Sequence, residues 1–239
     1  MTSPNLTATS SAPATRPSSP RFYRGMAVAF LFTVVVGFSN STRSRIASGA
    51  PPLTPFVIAH AALFASWFVI FLVQATLVAT GRVAWHRRLG WAAAVVAALI
   101  TVDGPYVAVA AARRGALGND GLSFMLVMIG DVVGLAVCVA LAVYYRRRSE
   151  THKRLMLLGT TSMLPPALSR WPWIASHQVG IAVVLVAYLA AAPVYDLLNG
   201  RRVHRASLWG GLALFASAPI RFALAHSAAW HRVATWLIR

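Results

Sequence analysis

Residues 54–91 read TPFVIAHAALFASWFVIFLVQATLVATGRVAWHRRLGW, and their first part, 54–80, contains no Asp, Glu, Lys or Arg. As a helix rising about 1.5 Å per residue, 54–80 reaches about 40 Å, enough to cross a hydrocarbon core of about 30 Å with some tilt. Two polar side chains, His60 and Gln74, interrupt the run. A soluble amphipathic helix would show a charged stripe every third or fourth position, and none is present. The basic turn GRVAWHRRLGW then opens the next apolar run. The fold class that follows is all-α, a polytopic transmembrane helical bundle.

Composition points the same way. Of 239 residues, 58% are apolar and only 11% charged, against about 25% charged in soluble domains. Mean hydropathy is +0.64. The net charge of +17 comes from 22 Lys and Arg set almost entirely in short breaks between apolar runs. There they act as topology signals and as contacts to a bilayer with anionic headgroups. No stretch is long and polar enough to be a soluble nucleic-acid-binding module, so nucleic acid is not an expected partner. The single cysteine, Cys138, excludes an intrachain disulfide and any Cys-rich metal or covalent haem-attachment motif.

Outward from that stretch, residues 1–20 are rich in Ser, Thr, Pro and Ala and read as a disordered tail. Residues 21–225 form one transmembrane domain, and 226–239 an interfacial tail with Trp230, Trp236, Leu237 and Ile238 among basic residues. The first span, 25–38, lacks a small-residue cleavage site and reads as retained; a polar loop, SNSTRSRIASGAPP, follows it. The third span covers about 89–112, bent near Gly104 and Pro105, and the fourth about 122–145. The fifth, between Arg154 and Arg170, is short and carries Pro165 and Pro166, which predicts a break near its outer end. The sixth runs over about 179–198 and the seventh, with Pro219 and Arg221, over about 208–225.

Seven spans put the two ends of the bundle on opposite faces. With the N-terminus inside, the cytoplasmic face holds 14 basic residues, grouped around Arg21, Arg87, Arg147 and Arg202, and the other face holds 7, with Arg221 inside a span. The positive-inside rule then predicts N-terminus inside and C-terminus outside. Losing the fifth span would reverse everything after it.

All three predicted cytoplasmic turns carry a histidine near basic and apolar residues: WHRRLGW at His86, THKRLMLL at His152 and VHRASLWGG at His204. Their spacings, 66 and then 52 residues, are too uneven for a strict repeat. In-span His60, the HRRLG turn, the HKRLM turn and the span-terminal Arg170 together resemble a family of uncharacterised bacterial multi-helix membrane proteins, over residues 54–170. That resemblance implies a polytopic fold in a bacterial inner membrane and no established activity. A looser likeness is to b-type di-haem cytochromes and ferric-reductase-like membrane proteins, whose iron ligands are histidines on neighbouring helices; here His86, His152 and His204 fall at helix starts instead.

Haem b can be tested by distance. His60 and His86 are 26 residues apart, about 39 Å on a continuous helix, so they cannot share one iron. An outer site would use His60 with His177, and an inner site would draw on His86, His152 and His204. Arg170 outside, and Arg87 or Arg154 inside, suit haem propionates. Anchoring to headgroups is the competing reading for the cytoplasmic histidines and arginines, and for His60 it is a hydrogen-bonded partner within the bundle.

Other chemistry finds no motif: there is no Walker loop, HExxH pair or GxSxG turn. Gly210 and Gly211 read as a close helix-packing point and Cys138 as a packing residue. Asp131, near mid-membrane, is protonated, hydrogen-bonded to another helix or part of a proton path. Similar depths from the outer face place His60, Asp103, Arg170 and Arg221 in one polar pocket, with Asp103 and Arg221 as an ion pair and Tyr106 and His177 at the mouth. Two function classes follow: a haem-b electron-transfer or reductase-like membrane component with a redox partner, and a cofactor-free small transporter or assembly partner with an intramembrane polar network.

Overall fold

The computed structural model describes residues 19–174 and 178–239. The tail 1–18 and His177 lie outside them. The described residues form helices α1 (Pro20–Ala47), α2 (Pro55–Ala79), α3 (Val83–Arg113), α4 (Gly121–Tyr144), α5 (Ser149–Thr161), α6 (Pro165–Leu168), α7 (Gln178–Leu198), α8 (Arg205–Ala225) and α9 (Ala228–Ile238). Six of them, α1, α2, α3, α4, α7 and α8, are long and apolar enough to cross a membrane. The protein is a multi-pass helical membrane protein.

Helix starts follow local chemistry. Ser19 and Thr54 cap α1 and α2 through their hydroxyls, each with proline at the first helical position, where a missing N–H is harmless. At the other end of α2, Gly81 adopts φ 76° and lets the chain reverse into α3. The core stripe of α1 is Tyr23, Ala27, Phe30, Val34 and Gly37, spaced three or four residues apart as one helix face requires. It meets Trp67, Phe68 and Phe71 of α2.

Three boundaries differ from the sequence reading, the first being the start of α1 at Pro20, five residues before the expected 25 and at the end of the expected tail. The polar segment after the first span is helical as far as Ala47, because Ser39 and Thr42 return their hydroxyls to carbonyls four residues back and so remain compatible with a helix. The third helix begins at Val83 rather than about 89, and His86 lies in its first turns, at a helix start as expected.

The fifth span is short and broken as expected, and it is central. Seven of the 13 residues of α5 are buried, including Arg154. It runs antiparallel to α4: His152 Nδ1 donates to Ala142 O (2.8 Å) and Ser162 Oγ to Asp131 O (3.1 Å). Beyond the prolines, Asn40 Nδ2 of α1 donates to Arg170 O (2.8 Å), whereas Lys153 at the other end lies 5.2 Å over the Tyr23 ring. From Tyr23 to Asn40, α1 rises about 25 Å, so α5 and α6 together cross the bundle. Non-helical backbone at this depth is tolerated because it is enclosed by protein.

The crossing preserves parity. Tyr195 near the end of α7 stacks on Phe22 near the start of α1, with centroids 4.2 Å apart. At the end of α8, Ala225 O accepts from Ser123 Oγ at the start of α4 (3.1 Å). The start of α1 and the end of α8 thus lie on opposite faces. Helix α9 folds back over that second face: Trp230 Nε1 donates to Leu122 O (2.7 Å) and Arg113 to Leu237 O (2.8 Å).

Candidate functional site

Five acidic residues occur in the chain, and each is paired with a basic group. The pairs define three layers of polar structure between helices.

In the layer nearest the start of α2, His60 Nδ1 lies 2.6 Å from Asp103 Oδ2. An ionised carboxylate can only accept, so Nδ1 carries the proton and Nε2 is left free. The His60 ring rests against Phe64, with centroids 4.4 Å apart. Gly104 brings α3 close to α4, since a Cβ there would stand 2.6 Å from Val132 Cγ2.

The middle layer corrects the expected pairing of Asp103 with Arg221. Arg221 Nη1 donates to Asp131 Oδ1 (2.7 Å) and to Val127 O (2.9 Å) instead. Gly130 makes this possible, because a Cβ at that position would collide with the Arg221 side chain. Equal depth misled the sequence argument: depth fixes a layer, and helix rotation decides the partner within it. The single polar pocket is accordingly two separate pairs. Arg170 joins neither; its guanidinium lies 4.9 Å over Phe38 and donates to Pro166 O. Tyr106 faces outward against Phe56 rather than lining an enclosed pocket.

The third layer lies at the N-terminal face. Arg154 Nη2 grips both oxygens of Asp196, at 2.6 and 2.8 Å, and its Nη1 meets Glu150. Glu150 also receives Lys153 Nζ (2.6 Å). Asp196 Oδ2 accepts the His204 N–H (3.3 Å), and His204 Nδ1 caps α8 by accepting from Ala206 N (3.1 Å). Burial, and after it the charge of Arg154, hold the His204 imidazole below its ordinary pKa. With Nδ1 occupied as a cap, His204 is a structural residue of α8 rather than a third member of one inner histidine set.

The other two inner histidines do meet. The rings of His86 and His152 have centroids 6.2 Å apart and stand at 86° to one another. His152 Nδ1 donates to Ala142 O, which leaves Nε2 with its lone pair. The Gln74 amide satisfies its surroundings with its nitrogen 2.5 Å from His86 Nδ1 and its oxygen accepting from Gly90 N (2.9 Å). Gln74 thus ties α2 to the first turns of α3. Among the described residues no group of three or more His, Cys, Asp or Glu is arranged to hold a metal ion.

Sequence reasoning passed over Asp196, Glu150 and the role of Gln74. Asp196 had a signal: it is the one acid in the sixth span, and Arg154 is the arginine nearest the start of the fifth. Set against known proteins, the chain matches no family model, no curated protein and no solved structure.

Proposed function

We propose that this multi-pass membrane protein binds b-type haem at the His86–His152 pair and serves in electron transfer, in keeping with the likeness to b-type haem cytochromes. The observation that carries the reading is the meeting of two imidazoles from different helices. Two metal–nitrogen bonds of about 2 Å each, plus the two ring half-widths, give bis-histidine centroids roughly 6 Å apart. The observed separation is 6.2 Å. Ligation through Nε2 needs a proton on each Nδ1. His152 has that arrangement already, and His86 reaches it when the Gln74 amide turns its oxygen toward the ring. Arg87, beside His86, supplies charge for a propionate. Bound haem would supply one-electron redox chemistry. The protein's own part is to orient the two rings and to present the basic face to anionic lipid headgroups and to an acidic redox partner. The charge asymmetry supports reading that face as the cytoplasmic side of a bacterial inner membrane.

The competing reading is a cofactor-free transporter or assembly partner. It is favoured by one observation, that every acid is already matched by a basic group within the bundle or at its surface. Purification in mild detergent after haem-sufficient expression separates the two. Haem binding gives a coloured protein whose Soret band shifts on reduction and is lost in His86→Ala and His152→Ala but kept in His204→Asn. Colourless wild-type protein refutes it.

A further inference from the structure

On the opposite half of the bundle from the His86–His152 pair, the His60–Asp103 dyad has features that a structural tie does not need. Gln74, which touches His86, is about 21 Å along α2 from His60, so the two places are well separated. The dyad is half-open: its side chains keep about a fifth of their surface accessible, at 23% and 22%. They open between α2 and α3, two helices long and apolar enough to cross a membrane, so lipid can reach this surface.

The surroundings are aromatic. On α2, Phe56, His60 and Phe64 recur every fourth residue and so share one face. On α3, Tyr106 stands one turn beyond Asp103 and meets Phe56 edge-on, with centroids 5.5 Å apart. Tyr106 is 63% exposed, and its hydroxyl has no partner among the described residues. His60 Nε2 likewise has none. A phenol and an imidazole nitrogen left open to lipid are costly unless something hydrogen-bonds to them.

We propose that His60, Asp103, Tyr106, Phe56 and Phe64 bind the headgroup of a lipid-soluble quinone that enters sideways from the bilayer. The chemistry selects this class of ligand. The occupant must be amphipathic, because it arrives through lipid. It must be flat enough to lie on Phe56 and Phe64, and it must hydrogen-bond with an imidazole nitrogen and a phenol. A phosphate headgroup is disfavoured, because the dyad holds no Lys or Arg to receive it. A quinol hydroxyl donates to His60 Nε2, and the Asp103 carboxylate fixes the ring in the tautomer that accepts. The inference rests on the electron-transfer reading for its purpose, but its geometry is independent of haem.

The test uses full-length protein in phosphatidylcholine nanodiscs titrated with decylubiquinol kept reduced, whose hydroxyl can donate to His60 Nε2, read by quenching of tryptophan fluorescence. Wild-type protein should show saturable quenching above the partition background. One hydrogen bond is worth up to about tenfold in affinity. His60→Gln and Asp103→Asn should weaken binding by about that factor and Tyr106→Phe by roughly threefold, while Val95→Ala, lipid-facing on the same helix, leaves it unchanged. Unsaturable quenching in all samples overturns the proposal. Should the dyad variants fail to fold, Tyr106→Phe decides: folded protein that binds as wild type refutes the site. Soret absorbance on the same samples keeps the two ideas apart. Colourless protein that saturates supports the quinone site alone, and coloured protein that does not saturate overturns it while leaving the haem reading intact.

Discussion

Replacing Asp196 by Asn isolates the strongest tie in the bundle. Asp196 is 1% exposed and Arg154 3%, and Nη2 of Arg154 reaches both carboxylate oxygens. Removing one partner from a buried ion pair costs about 3–5 kcal/mol, because the other charge is left without compensation. Glu150 still meets Arg154 here and the amide can still accept one hydrogen bond, so the lower end, about 3 kcal/mol, is expected. That corresponds to roughly a hundredfold loss in the folded-to-unfolded ratio. For a chain of this size it amounts to a fall in Tm of roughly 6–12 °C. The assay is detergent-solubilised protein unfolded by heat or by added denaturing detergent, followed by tryptophan fluorescence. Apolar replacement of both partners, Arg154→Met with Asp196→Leu, should recover most of the loss, since a packed apolar pair avoids the desolvation that the ion pair carries. A cost under about 1 kcal/mol for Asp196→Asn would refute the reasoning and show that water reaches Arg154.

Three further outcomes are expected. Reporter fusions placed after Arg147, ahead of α5, and after Trp173, beyond α6, should report opposite sides of the membrane; the same side for both would remove α5 and α6 as a crossing. Gly130→Ala should displace the Arg221 side chain and destabilise the protein by about 1–3 kcal/mol, whereas Gly211→Ala, with open space around its Cβ position, should be nearly silent in the same thermal assay. Since the folded pKa of His204 lies below the ordinary 6.5, the unfolded chain binds the proton more readily. Stability is then full above about pH 6.5 and declines as pH falls from there through the lower folded value. Protonation removes the acceptor that caps α8, so His204→Asn, which caps without titrating, should flatten the thermal-stability profile over that window.

Apolar runs carry most of the architecture in plain view. Residues 54–80 have no charge and become α2 almost to the residue, because lipid leaves a backbone no alternative to internal hydrogen bonding. Interior segments are less legible. Helix α5 is short and polar at its start, yet it is surrounded by α1, α4, α7 and α8, so burial comes from neighbours that hydropathy does not represent. Polar partners are legible in depth and illegible in azimuth. His60 and Asp103 were rightly placed in one layer, and the same argument wrongly joined Asp103 to Arg221. The rotation of α8, and the room left by Gly130, decided that case. The meeting of His86 with His152 was foreshadowed by their place in matching turns, whereas the use of His204 as a cap depends on a backbone N–H that no motif announces.

The three interhelical pairs within the bundle form a graded series, and the grading separates tie from site. Side-chain exposures are 4% and 1% for Arg154–Asp196, 21% and 7% for Arg221–Asp131, and 23% and 22% for His60–Asp103. A sealed pair exchanges with nothing, so its contribution is to hold α5 against α7, and its loss is expressed as stability. An open pair leaves donor or acceptor capacity unused, and hydrocarbon offers no water to take it up. Its persistence is explained only if something else uses that capacity. His60–Asp103 alone of the three joins two sequence-adjacent helices that already pack along their length, so it adds the least as a fastener. It also leaves an imidazole nitrogen free. A pair that fastens least and exposes most is where ligand chemistry belongs in this bundle, and the sealed Arg154–Asp196 pair is where structural rigidity belongs.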